Sequence, residues 1–104
     1  MFTKELSRRH PDITTVAVHP GFAESGVPWP ASFKHFAMYG QEGALMPLSA
    51  ATTPGLRSGS YVAPLLVVRG PPSPFNAWYP RQARNPDLAA KLWAASVAET
   101  GVDF

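Results

Sequence analysis

Three histidines, three tyrosines, seven carboxylates and no cysteine set the chemistry that this 104-residue chain could carry. A zinc site built on His10, His19 or His35 would need a third ligand at suitable spacing. Ser25, His19 and Asp12 have the side chains of a hydrolytic triad, but no sharp strand-to-helix nucleophile turn lies behind them. The three histidines therefore read as structural. No G-x-G-x-x-G and no G-x-x-x-x-G-K-[ST] occurs, so no glycine-rich phosphate cradle is written here. Pro71-x-x-Pro74 has the form of a polyproline-II ligand, yet packing of the nearby Trp78 across the domain surface is the better use of that segment.

The stretch that could position a ligand is 13–21, Ile-Thr-Thr-Val-Ala-Val-His-Pro-Gly. Its first six residues are all β-branched or alanine, which suits a strand covered on both faces, as in a parallel sheet. Pro20 removes a ladder donor and Gly21 permits positive φ, so the chain must leave the sheet there. The loop 22–30 then lies at the carboxyl end of the strand, where open α/β sheets bind ligands.

The other elements follow from periodicity and punctuation. Residues 1–10 predict a short, uncapped helix with Phe2 and Leu6 on one face, basic residues at its end and a stop at Pro11. Residues 41–53 predict a second helix in which Gly43 and Ala44 allow close approach to the sheet. Pro47 requires that helix to start near Gly43 or to kink. Residues 61–68 predict a strand with Leu65 to Val68 as an apolar run, and Pro64 asks it to begin later or to lie at an edge. Strand, helix and strand make one parallel crossover. Asn85 as N-cap and Pro86 at the first position open a last helix with Leu88, Ala89, Leu92, Trp93, Ser96 and Val97 as its stripe, ending at Gly101. The fold class expected is α/β: a partial doubly wound, Rossmann-type parallel sheet of two strands joined by a crossover helix, with flanking helices.

Several of these stretches resemble the late part of a short-chain dehydrogenase/reductase of the retinol-dehydrogenase-like kind. They are Phe2-Thr3-Lys4-Glu5-Leu6-Ser7-Arg8-Arg9, Val16-Ala17-Val18-His19-Pro20-Gly21, Glu42-Gly43-Ala44, Gly59-Ser60-Tyr61 and Leu88-Ala89-Ala90-Lys91-Leu92-Trp93, in the family's order. The resemblance implies a parent enzyme that transfers hydride between NAD(P) and a carbonyl or alcohol. It also implies that Pro20, Gly21, Phe22, Ala23 and Ser25 meet the nicotinamide end of that cofactor. A second reading makes Glu24 and Ser25 turn residues of a solvent loop. Residues 31–40 would be the lid over the substrate, with Trp29, Phe33, Phe36 and Met38 favouring a bulky apolar one; a satellite hydrophobic cluster is the alternative.

The resemblance also names what is missing. The family's Tyr-x-x-x-Lys pair is absent, because Tyr39, Tyr61 and Tyr79 are followed four positions later by Gly43, Leu65 and Ala83. The expectation is a single incomplete domain over 1–104, the carboxyl-terminal portion of such an enzyme, inactive by itself and binding no NAD(P) tightly. A non-catalytic module that pairs with a full-length relative, or with itself, is the alternative, since an open sheet edge is adhesive.

Composition is compatible with this. Hydrophobic residues at 45% and charged residues at 15% exclude a disordered charged tail. The net charge of +2 comes with one dense basic cluster, Lys4, Arg8, Arg9 and His10, which reads as a solvated helix end and not as a nucleic-acid footprint. No apolar run is long enough to span a membrane, and a start without an apolar h-region is not a signal peptide. With no cysteine, a soluble cytoplasmic chain is the default expectation.

Overall fold

A computed structural model describes residues 1–24, 26, 30, 32, 37–74 and 80–103. The elements in chain order are α1 (Phe2–Arg9), β1 (Val16–Val18), α2 (Gly40–Thr52), β2 (Ser60–Pro64), β3 (Pro72–Ser73), α3 (Arg81–Arg84) and α4 (Pro86–Thr100). The sheet has the order β1-β2-β3, with β1 parallel to β2 and β3 antiparallel to it. Val16, Ala17 and Val18 stand opposite Ser60, Tyr61 and Val62. The molecule is thus mixed α/β, and α2 connects the two parallel strands.

Three expectations need correction. The first strand is short and lies at the sheet edge: Val18 is 37% exposed and Ile13 46%, so it is not covered on both faces. An alternating or continuous apolar run reports which residues suit a sheet, but not how many neighbours the sheet supplies. The second strand ends at Pro64 instead of beginning after it. Leu65 to Gly70 turn back in a tight connection in which the Leu65 amide donates to the Pro71 carbonyl and the Val67 amide to Pro64. Val67 has a φ of +68° there, an unusual conformation for a β-branched residue, and Leu65, Leu66 and Val68 are exposed. Finally, the sheet is not purely parallel, because the proline-rich segment supplies β3. It stays two residues long, in keeping with prolines that donate nothing to a ladder.

The helices agree better with the sequence. In α4 the Asn85 side chain accepts from the amides of Asp87 and Leu88, Pro86 occupies the first turn, and Gly101 closes the helix in the left-handed conformation. Helix α2 carries Pro47 in its interior, so the Gly43 carbonyl receives no bond from residue 47. Helix α1 packs on α4: the Phe2 ring stacks on Trp93 with centroids 4.9 Å apart, and the Arg9 guanidinium lies 4.7 Å above the same indole. Glu5 on α1 is buried and pairs with Arg8 and, at 2.9 Å, with Arg9. That pairing answers the cost of burying a carboxylate. Thr15 ties β1 to its surroundings, accepting from the Gly59 amide and donating its hydroxyl to the Thr3 carbonyl. Trp78 and its aromatic neighbours lie outside the described residues.

Tyr61 on β2 is partly buried, and desolvation raises its hydroxyl above the ordinary tyrosine value near 10. The folded state therefore holds this proton more tightly than the unfolded chain. Its contribution to stability is complete below pH 10 and is lost as pH rises through the folded value. Ultraviolet titration of the phenolate band is expected to show a component ionising above the ordinary tyrosine range, with unfolding at alkaline pH following it. Removal of the late component by Tyr61→Phe checks the assignment.

Candidate functional site

The loop that leaves β1 is built by its backbone. The ladder continues one residue past the strand, as the His19 amide donates to the Val62 carbonyl. The Gly21 amide then turns back to His19 Nδ1 at 2.9 Å, which makes Nδ1 an acceptor and puts the ring proton of a neutral His19 on Nε2. Gly21 has a φ of +81°, as the Pro-Gly reading expects. The Phe22 amide donates to the Val68 carbonyl, the Met38 amide to Phe22, and the Glu24 amide to Met38. Ala23 is thereby held in a parallel bridge beside Met38.

Helix α2 approaches this loop through its glycines. A Cβ on Gly43 would sit 2.8 Å from the Ala23 Cβ, so only glycine permits the observed contact without a shift. The expected close approach at residue 43 is real, and its partner is the loop after β1. Glu42 in the first turn accepts from the Tyr39 amide, which sets the start of the helix. Between loop and helix lies a cavity of about 610 Å³, lined among others by Val18, Pro20, Phe22, Ala23, Gly43 and Pro47. Among the described residues on its wall, Glu24 is the one with an ionisable side chain. A second hollow of about 570 Å³ follows β1 toward Thr14 and Leu56 and shares Val18 and Pro47 with the first. Together they follow β1 and α2, beside the exposed Val18.

Of the residues singled out in the sequence, Pro20, Gly21, Phe22 and Ala23 line the larger cavity together. Met38 lies beneath them, 3% exposed, with its sulfur 3.3 Å from where a Gly21 Cβ would be. Ser25, Trp29, Phe33 and Phe36 lie outside the described residues. The amides of Gly21, Phe22 and Glu24 are all committed within the protein, so a ligand here would meet chiefly apolar surface. Sequence reasoning did not foresee the Ala23 bridge to Met38, for which no local motif exists, since the two residues are 15 positions apart in the chain. Among the described residues no group of histidines or carboxylates could hold a metal ion, and no helix is long and apolar enough to cross a membrane.

No protein-family model matches the chain, and no solved structure matches it. A similarity is found to retinol dehydrogenase 11 of Homo sapiens, a short-chain dehydrogenase/reductase: 34% identity over 108 aligned positions that take in 92% of this chain. The chain spans 31% of the length of that protein. The β1 strand, its Pro-Gly exit and the α2 helix thus belong to a chain that is similar to about a third of a retinol dehydrogenase.

Proposed function

We propose that this chain is the carboxyl-terminal part of a short-chain dehydrogenase/reductase whose whole protein transfers hydride between NAD(P) and a bulky apolar alcohol or carbonyl, a retinoid among them. The observation that carries the reading is the Pro20-Gly21 exit of β1 closing against Gly43 of α2, at the carboxyl end of a parallel strand, in a chain similar to a retinol dehydrogenase. The residues fit the nicotinamide end of such a cofactor. Gly43 keeps the loop and helix close, Gly21 lets the loop pack on Pro64 and Val68, and Pro20 and Ala23 present apolar surface to the cavity. Ser25 adds a hydroxyl at the position the resemblance assigns, and Trp29, Phe33, Phe36 and Met38 supply the apolar bulk for substrate. Among the described lining residues none would hold a pyrophosphate. The cofactor, when bound, supplies the hydride.

The chain by itself is inactive in this reading. A catalytic tyrosine needs its pKa lowered by a neighbouring lysine, and no tyrosine here has one four residues on. Tyr61, moreover, is shifted upward by burial, the wrong direction for a general base at neutral pH. A second reading, a non-catalytic module that pairs with a longer relative, is favoured by one observation. Among the described strands β1 is hydrogen-bonded to β2 alone, and Ile13, Val18, Leu45 and Leu48 are exposed.

The test is the intact mass of the native protein, captured from its source with an antibody to α4, followed by an assay with NADH or NADPH and retinal. The expected result is a species well above 11.2 kDa that consumes the reduced cofactor, while the 104-residue chain alone shows no turnover and no change in NADPH fluorescence. A species at 11.2 kDa co-purifying with a longer dehydrogenase supports the second reading instead. Turnover by the isolated chain would overturn both.

A further inference from the structure

The loop after β1 is closed by an acceptor that can be switched off. The Gly21 amide donates to His19 Nδ1 at 2.9 Å, a contact from one residue back to the side chain two positions earlier. Asparagine closes such turns with an amide oxygen, which accepts at every pH. His19 closes this one with a nitrogen that accepts only while the ring is neutral, because an imidazolium is a donor at both nitrogens. The residue is exposed, so a proton reaches the ring without any opening of the structure. The charged or titratable side chains on the surrounding elements are Glu24 in the same loop, Glu42 on α2, Tyr61 on β2 and Arg69 in the connection after it. Glu42 is committed to the Tyr39 amide, and among the described residues no ion pair reaches the imidazole.

We propose that His19 is a pH switch for this loop: protonation of Nδ1 releases the Gly21 amide and loosens the wall of the adjoining cavity. Two donors cannot share a 2.9 Å contact, so either the imidazolium rotates away or the Pro20–Gly21 peptide turns. Pro20 has a fixed φ, and Gly21, at a φ of +81°, is the residue whose backbone can absorb the change. That peptide is not isolated. The Pro20 carbonyl oxygen lies 3.5 Å from where a Gly43 Cβ would be, and the place a Gly21 Cβ would take is hemmed by the Pro64 ring and the Val68 carbonyl. Its movement is therefore felt at α2 and at the end of β2, on the wall to which Pro20, Gly21, Phe22 and Ala23 contribute. Imidazoles change charge between about pH 5 and 8, so the loop is held at the upper end of that window and released at the lower. The bond exists only with neutral His19; its contribution to the folded loop is present at higher pH and lost as pH falls. Any effect on a nicotinamide cofactor in the cavity rests on the dehydrogenase reading, whereas the switch itself does not.

The experiment is a titration of the isotope-labelled chain from about pH 8 to about pH 5, read by imidazole nitrogen spectra and by amide hydrogen exchange. At the upper end the ring proton of His19 is expected on Nε2, with Nδ1 bare. The protection of the Gly21 amide, taken relative to an unfolded chain at the same pH, should fall about two- to tenfold along the titration of His19 itself, the equilibrium worth of one net hydrogen bond. The Ala89 amide, which donates to the Asn85 carbonyl in α4, should keep its protection. His19→Asn supplies an acceptor that does not titrate and should hold Gly21 protected throughout, while His19→Ala should leave it unprotected throughout. His10→Gln, at the end of α1, should leave the transition in place. A proton on Nδ1 at the upper end, Gly21 protection that does not follow His19, an equal loss at Ala89, or a transition that persists in His19→Asn would each overturn the proposal. The first three readouts need no substitution, and none needs a cofactor. A failed switch therefore leaves the dehydrogenase reading standing, and a failed dehydrogenase reading leaves the switch.

Discussion

Trp93→Ala is expected to destabilise the chain by about 3–5 kcal/mol, the range for deleting a buried tryptophan. Trp93 is 2% exposed and is the meeting point of three separate parts of the structure. Phe2 stacks on it from α1, the Arg9 guanidinium covers its ring, and its indole N–H donates to Asp103 at 2.9 Å, which holds the segment after Gly101 against the helices. Helix α1 has eight residues and no side-chain cap, so it cannot persist in water by its own propensity. Its docking depends on this ring. Small domains are stable by about 5–15 kcal/mol, so the loss removes a large share of the total. Urea denaturation followed by circular dichroism measures it. Trp93→Phe should recover part of the loss, because an aromatic ring remains to stack on Phe2, while the second ring of the indole and the bond to exposed Asp103 disappear. A cost below about 1.5 kcal/mol for the alanine variant would show that α1 and α4 do not form the cohesive layer described here.

The second large effect is expected at Gly21. An alanine Cβ there would lie 2.6 Å from the Pro64 ring, 2.8 Å from the Val68 carbonyl oxygen and 3.3 Å from the Met38 sulfur. The methionine end can move, but the proline ring and the backbone carbonyl cannot do so without disturbing β2 and the Phe22–Val68 hydrogen bond. Overpacking typically costs about 1–3 kcal/mol. The left-handed backbone adds about 1–2 kcal/mol for any residue with a Cβ. Gly21→Ala should therefore cost about 3 kcal/mol and shift the loop that carries the candidate site. Gly55→Ala separates the two contributions, because Gly55 has a φ of +73° with nothing within 4 Å of its would-be Cβ. It should lose only the backbone part, about 1 kcal/mol. Equal losses at the two glycines would mean that Gly21 is kept for its φ alone and that the packing beneath the loop is slack.

The open side of β1 gives these variants a shared consequence. One acts on the layer formed by α1 and α4, the other on the exit loop at the end of the edge strand β1. Destabilised forms would expose Ile13, Val18 and the α2 leucines further, which predisposes the chain to association.

Local chemistry determined much of this protein without reference to the fold. Asn85-Pro86 at one end and Gly101 at the other bound α4, because a cap, a pre-set φ and a positive φ are properties of single residues. Pro20-Gly21 likewise ends β1 for reasons internal to those two residues. The family resemblance rested on such local stretches as well, and the similarity to a retinol dehydrogenase agrees with it. Tertiary structure decided the rest. Whether Val16 to Val18 would be central or at an edge depends on which strands stand beside it. Leu65 to Val68 look like a strand by composition, yet a turn through Val67 sends the chain back to pair β3 with β2. Arg84 joins Lys4 and Arg8 around one cavity only because α1 docks on α4. Residues some eighty positions apart carry no sequence signal of each other. Their proximity comes from burying Phe2 against Trp93, and burial is non-directional until packing gives it an address.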